Sequence, residues 1–110
     1  MAYKIIVTPP AERRLERYIS YTVFVLKNEQ GARNIKEDVK ETRKKLSICA
    51  GAIALCTDEI LAKYGYRKFS FLKHDFCMLY RIDGNTVIVE GMFHESQDYE
   101  SIFKREMRLK

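Results

Sequence analysis

Two stretches hold the side chains with the means to do chemistry. In Tyr66-Arg67-Lys68-Phe69-Ser70-Phe71-Leu72-Lys73, the cations Arg67, Lys68 and Lys73 are interleaved with aromatic rings. Basic and aromatic side chains on a sheet can hold RNA by phosphate contact and base stacking. Alternating aromatics are equally what a sheet core requires. In Phe93-His94-Glu95-Ser96-Gln97-Asp98-Tyr99, His94 follows an apolar run, at a strand end where binding residues often lie. Histidine is the usual proton-transfer group near neutral pH. Tyr99 could stack on a base, donate a proton, or pack the terminal helix on the sheet. Arg81 follows Tyr80, so strand alternation sends the two to opposite faces. A cross-strand pair with Glu90 would give Arg81 a structural role. His74 sits beside Asp75 in a turn and reads as solvated. The two histidines have no metal-ligand spacing, so neither a metal nor another cofactor is expected.

These groups sit on a chain of 110 residues, the size of a single domain, 1–110. Its net charge is +5 and its pI about 9.2, which favours an acidic partner. The hydrophobic share of 46% and charged share of 32% exclude a disordered chain. Cys49, Cys56 and Cys77 are odd in number, with no Cys-x-x-Cys pair, and read as reduced thiols. No apolar run reaches the roughly 18 residues of a membrane span, and Met1-Ala2-Tyr3-Lys4 does not begin a signal peptide. A cytoplasmic location is expected, with no membrane contact.

Periodicity supplies the elements that must position the candidates. Tyr3–Thr8 is β-branched and bounded by Pro9-Pro10, and reads as a strand. From Ala11 the apolar period lengthens to that of a helix, through Leu15, Tyr18, Ile19, Thr22, Val25 and Leu26. This helix is expected to end near Asn28–Gly31, with Gly31 as its left-handed cap. A second helix carries Ile35, Val39, Thr42 and Leu46 on one face and charges on the other, forming an antiparallel hairpin. Its Arg43-Lys44-Lys45 cluster reads as a solvated face. Residues 53–64 read as a loop with a helical turn at Asp58–Ala62.

Strands follow at Tyr66–Leu72, Phe76–Ile82 and Thr86–Phe93, with turns at Lys73-His74-Asp75 and Asp83-Gly84-Asn85. The last two are almost continuously apolar, which predicts burial on both faces. Asp98–Arg108 reads as a terminal helix capped by Ser96 or Asp98. The order β-α-α-β-β-β-α defines an α+β two-layer sandwich.

Met78-Leu79-Tyr80-Arg81-Ile82-Asp83-Gly84-Asn85-Thr86-Val87 and Phe93-His94-Glu95-Ser96-Gln97-Asp98-Tyr99-Glu100 resemble two sequence endings of the RelE/ParE toxin superfamily of bacterial type II toxin–antitoxin modules. The strand-then-hairpin opening, Tyr3–Leu46, and Tyr66-Arg67-Lys68-Phe69 are similar too. Residues 47–65 match poorly. The resemblance implies a curved, mostly antiparallel sheet with the helical hairpin on one side. It implies a growth-inhibiting toxin, of the kind that stabilises plasmids, neutralised by a cognate antitoxin. Charge and the resemblance together imply that the antitoxin is acidic, partly disordered until bound, and lays a helix or strand across the basic sheet groove. RelE-like members of the superfamily cut messenger RNA on the ribosome, whereas ParE-like members inhibit DNA gyrase.

A metal-free endoribonuclease must activate a ribose 2′-hydroxyl, stabilise a phosphorane and protonate a leaving oxygen. On the RelE-like pattern, Lys68 fits the first basic position, but the second falls on Ser70. The arginine expected early in the next strand becomes Cys77, and the C-terminal arginine falls near Ser96. His94 and Tyr99 could stand in as acid, base or stacking group. These departures favour a ParE-like gyrase inhibitor. The alternatives are a ribosome-dependent endoribonuclease using Lys68, Lys73, Arg81, His94 and Tyr99, and a non-toxic module that pairs with an antitoxin and represses a shared promoter.

Overall fold

The computed structural model describes residues 2–110. It contains β1 (Lys4–Val7), α1 (Pro9–Phe24) and α2 (Glu29–Cys49), then a 3₁₀ turn at Ala50–Ala52 and α3 (Glu59–Lys63). The chain continues through β2 (Arg67–Ser70), β3 (Phe76–Asp83), β4 (Thr86–His94) and α4 (Tyr99–Met107). The element order is the expected one, with α3 as the helical turn foreseen near Asp58.

α1 starts two residues before Ala11. Pro9 and Pro10 occupy its first positions, where no N–H is needed and a fixed φ is already helical. The junction between the two long helices departs from expectation. Gly31 does not cap α1: it lies in the first turn of α2, and the left-handed residue is Lys27, with φ 54°. Asn28 caps α2 instead, its Oδ1 accepting from Gly31 N at 2.8 Å. A Cβ on residue 31 would collide with that amide, so the glycine serves the cap's close approach. Asn28→Ala is expected to destabilise the fold by about 1 kcal/mol in urea unfolding.

The sheet order is β1-β4-β3-β2, with β1 parallel to β4 and the other pairs antiparallel. β3 and β4 are the central strands. Gly84 turns them with φ 61°, as glycine-first two-residue hairpins require. The α1–α2 hairpin covers one face, burying Leu15, Ile35, Val39 and Leu46 against Met78, Tyr80, Val87, Val89 and Met92. On the other face α3 and α4 bring Leu61 and Phe103 against Tyr66, Cys77, Leu79 and Phe93. Burial on both faces explains why β3 and β4 read as unbroken apolar runs.

The β3–β4 register breaks once. Leu79 pairs with Gly91 and Tyr80 with Val89, leaving Glu90 as an extra residue. Val87 and Val89 face the hairpin before this bulge, and Met92 does so after it. β2 ends at Ser70, two residues before its expected end. The link to β3 is held from below instead: Asp38 of α2, 2% exposed, accepts from Lys73 N at 3.1 Å.

Candidate functional site

Strand register decides which candidates meet. Lys68 pairs with Leu79, Ser70 with Cys77, and Cys77 with Phe93, so these share the face covered by α4. Arg67 pairs with Tyr80 and Phe76 with His94, which puts Arg67 and His94 on the hairpin face. The candidates therefore divide between two faces. Lys68, Arg81 and Tyr99 lie on one, Arg67 and His94 on the other, and Lys73 is in the exposed β2–β3 link.

Lys68 is the centre of the α4 face. Its Nζ lies 3.2 Å from Glu95 Oε1 and 5.3 Å from the centroid of the Tyr99 ring. Ser70 Oγ donates to the same Glu95 oxygen at 2.5 Å. Burial would lower the Lys68 pKa, but Glu95 and Tyr99 outweigh it and hold the ammonium above its ordinary value. The Ser70 hydrogen bond, with help from Lys68, holds the Glu95 carboxyl below its ordinary value. A shallow groove lined by Ala54, Leu55, Cys56, Lys68, Tyr99 and Glu100 opens here. Cys77 lies beneath it, fully buried, its thiol pushed up to about 12 by burial. It is neutral at every physiological pH.

Arg81 is on this face but committed elsewhere. Its Nε is 2.5 Å from Oε1 of Glu90, the bulge residue, so the cross-strand pair read from the sequence is present. The Glu90 hydrogen bond raises the guanidinium pKa further. Burial, with Glu90 beside it, pushes the neighbouring Tyr66 phenol up to about 12.

Arg67 points to the hairpin side, where Nη1 donates to the carbonyls of Ile53 and, at 3.4 Å, Gly51. Tyr80 OH donates to Ala50 O at 2.8 Å in the same turn. Both side chains hold the irregular segment after α2. His94 Nδ1 accepts from Ser96 N at 3.1 Å, and its ring stands edge-on to Phe76 at 5.2 Å. Its backbone N–H donates to Gln97, whose Oε1 also accepts from Tyr18 OH at 2.7 Å. Tyr99 packs toward Phe93, 6.2 Å between ring centroids, as well as under Lys68.

Sequence reasoning missed two groups. Glu95 is two residues past Phe93, so extending the strand alternation would have placed it beside Lys68. His74 is not a solvated turn residue: its Nδ1 lies 2.6 Å from Asp38 Oδ2. The signal was Asp38 itself, a carboxylate at helical spacing within the buried row Ile35, Val39, Thr42. Such a position demands a partner. Among the described residues no three His, Cys, Asp or Glu side chains come together to hold a metal, and no helix is long and apolar enough to cross a membrane.

A four-stranded sheet carrying a helical hairpin on one face and a terminal helix on the other is the arrangement that the resemblance to the RelE/ParE superfamily implied. Residues 5–99 match the family model for the ParE toxin of the type II toxin–antitoxin system parDE. The chain belongs to the ParE toxin family. No curated protein matches its sequence. Among solved structures it is similar to the chromosomal ParDE system from P. aeruginosa, with a TM-score of 0.69 and 20% identity over 84% of this chain and 96% of that one. It is also similar to the RelBE2 toxin–antitoxin complex from Mycobacterium tuberculosis, with a TM-score of 0.57 and 24% identity over 86% of this chain and 99% of that one. At these identities the likeness concerns the fold alone.

Proposed function

We propose that this type II toxin arrests growth by binding DNA gyrase in the cytoplasm, and that a cognate acidic antitoxin neutralises it. One observation carries the preference for gyrase over messenger RNA. Each candidate cation anchored in the sheet is already engaged: Lys68 by Glu95, Arg81 by Glu90, Arg67 by backbone carbonyls on the opposite face. Where a phosphorane-stabilising arginine would be needed stands Cys77, buried and uncharged. Cleavage without a metal needs preorganised positive charge aimed at the transition state, and losing one such donor costs about 100-fold or more in rate. Inhibition by protein contact makes no such demand.

The endoribonuclease reading keeps one point in its favour, the pairing of Lys68 with Tyr99 beside an open groove. The two readings separate in vitro. Purified chain is expected to inhibit gyrase supercoiling and to leave messenger RNA intact on translating ribosomes. Ribosome-dependent cleavage that disappears in His94→Ala would overturn the gyrase reading. The antitoxin is sought in the neighbouring reading frame, as a short acidic protein that restores growth when co-expressed. A chain that does not slow growth at all would instead be a non-toxic antitoxin-binding module.

A further inference from the structure

The groove on the α4 face has the parts of a single-strand platform but the opposite sign of charge. Tyr99 offers a ring, Lys68 Nζ stands 5.3 Å from its centroid, and both line the open groove. A ring and a cation side by side are what hold unpaired nucleotides, the ring by stacking on a base and the cation by meeting a phosphate. Lys68 is, however, the sole cation among the residues lining the groove, and Glu100 lines it as well. Glu100 joins no ion pair among the described residues.

Glu95 completes the reversal. Its Oε1 lies 3.2 Å from Lys68 Nζ and accepts from Ser70 Oγ at 2.5 Å. Its backbone N–H donates to Asp75 O at 2.8 Å, so the residue is tied down at both ends. The Lys68 side chain is 36% exposed and that of Glu95 31%, so an anion approaching the ammonium meets the carboxylate at the same surface. Lys68 is balanced by Glu95 and Asp58 by Lys104, which leaves the charge of Glu100 over. The Cys56 thiol, in the same groove, registers that sign: beyond the effect of burial, Glu100 and Asp58 push it up against the opposing pull of Lys68. A chain of net charge +5 thus keeps a groove that is not basic.

We propose that Glu95, reinforced by Glu100, closes the Lys68–Tyr99 groove to single-stranded RNA and so decides what this site refuses. A phosphate brought against Lys68 must displace a carboxylate that Ser70 holds in place, and then lies beside a like charge. A basic chain amid RNA is drawn to it without regard to sequence. The closed groove keeps the Tyr99 ring out of that competition. This goes beyond the gyrase reading, which asks only that messenger RNA is not cut: binding without cleavage would satisfy that reading and not this one.

Fluorescence anisotropy with a labelled single-stranded RNA of about a dozen nucleotides tests the closure. The variants are Glu95→Gln, Glu95→Gln with Lys68→Ala, and Glu16→Gln with Glu37→Gln as a control for net charge. Glutamine keeps the size of glutamate and an oxygen for Ser70, and Glu16 and Glu37 are exposed, so thermal unfolding should stay within a few degrees of wild type. Glu95→Gln is expected to bind at least about five-fold more tightly than wild type, with a log–log salt slope steeper by about 0.7 for the phosphate gained. Adding Lys68→Ala should return both to wild type, and the control should gain less than about two-fold. A smaller gain in Glu95→Gln, an equal gain in the control, or a gain that survives Lys68→Ala would overturn the closure and leave the gyrase reading standing. Wild-type chain that leaves gyrase untouched, with the RNA result as expected, would remove the gyrase reading and keep the closure. Wild-type cleavage of messenger RNA on ribosomes would overturn both.

Discussion

Asp38→Ala is expected to lower the unfolding free energy by about 3–5 kcal/mol, because several hydrogen bonds to a buried carboxylate are lost at once and each donor left without a partner costs about 1–3 kcal/mol. The carboxylate is 2% exposed and serves three donors: Thr42 Oγ1 at 3.1 Å, Lys73 N at 3.1 Å and the His74 ring at 2.6 Å. Alanine leaves these donors beneath the β2–β3 link with nothing to bond. For a domain of this length the melting temperature should fall by roughly 10–20 °C. Asp38→Asn keeps the shape and loses the charge, and should cost about 2 kcal/mol.

The same group predicts a pH dependence. Burial alone would raise the Asp38 pKa, but the His74, Thr42 and Lys73 hydrogen bonds together prevail and hold it below 3.8. A carboxyl depressed in the folded state contributes fully above its unfolded value, and that contribution is lost as pH falls through the folded one. Urea unfolding from neutral pH downward should therefore show wild type and Asp38→Asn converging only below about pH 4. A gap that is constant down to pH 3 would mean the carboxylate is not held in this way.

Phe103→Ala is the second large effect, and it concerns the opposite face. Phe103 is 2% exposed and meets Tyr66 edge-on at 5.0 Å and Phe93 at 6.2 Å. Truncation removes the side chain that seats α4 on the sheet, at an expected cost of about 3–5 kcal/mol. Met107→Ala, on the same helix but 37% exposed, should cost within about 0.5 kcal/mol. A cost below about 1 kcal/mol for Phe103→Ala, with α4 then open to protease, would show that α4 does not unfold cooperatively with the sheet.

The element order was legible because the apolar period changes where the structure changes. Pro9-Pro10 marked the first switch, and Asp83-Gly84-Asn85 the central hairpin. The Arg81–Glu90 pair was legible from strand alternation. Much of the site's arrangement was not. The Glu90 bulge leaves no trace in a strand that is apolar on both faces, yet it resets which side chains face the hairpin beyond it. Gly31 was misread because a glycine shortly after a helix is usually its end, whereas here Asn28 needs it at the start of the next. Lys68 looked like a free cation because Glu95 lies beyond the strand, in a segment read for its histidine.

The parallel pairing of β1 with β4 has a consequence for how the toxin is made. Lys4 lies against Thr86, and β4 is the one strand beside β1 in the sheet. The helical hairpin is synthesised early, but the strands it packs on are β3 and β4, from the last third of the chain. A ribosome adding about 5–20 residues per second must nearly finish the protein before this surface can close. The α1–α2 hairpin thus gains its backing only at the end of translation, and a product truncated before β3 leaves Leu15, Ile35, Val39 and Leu46 without the strands they pack on.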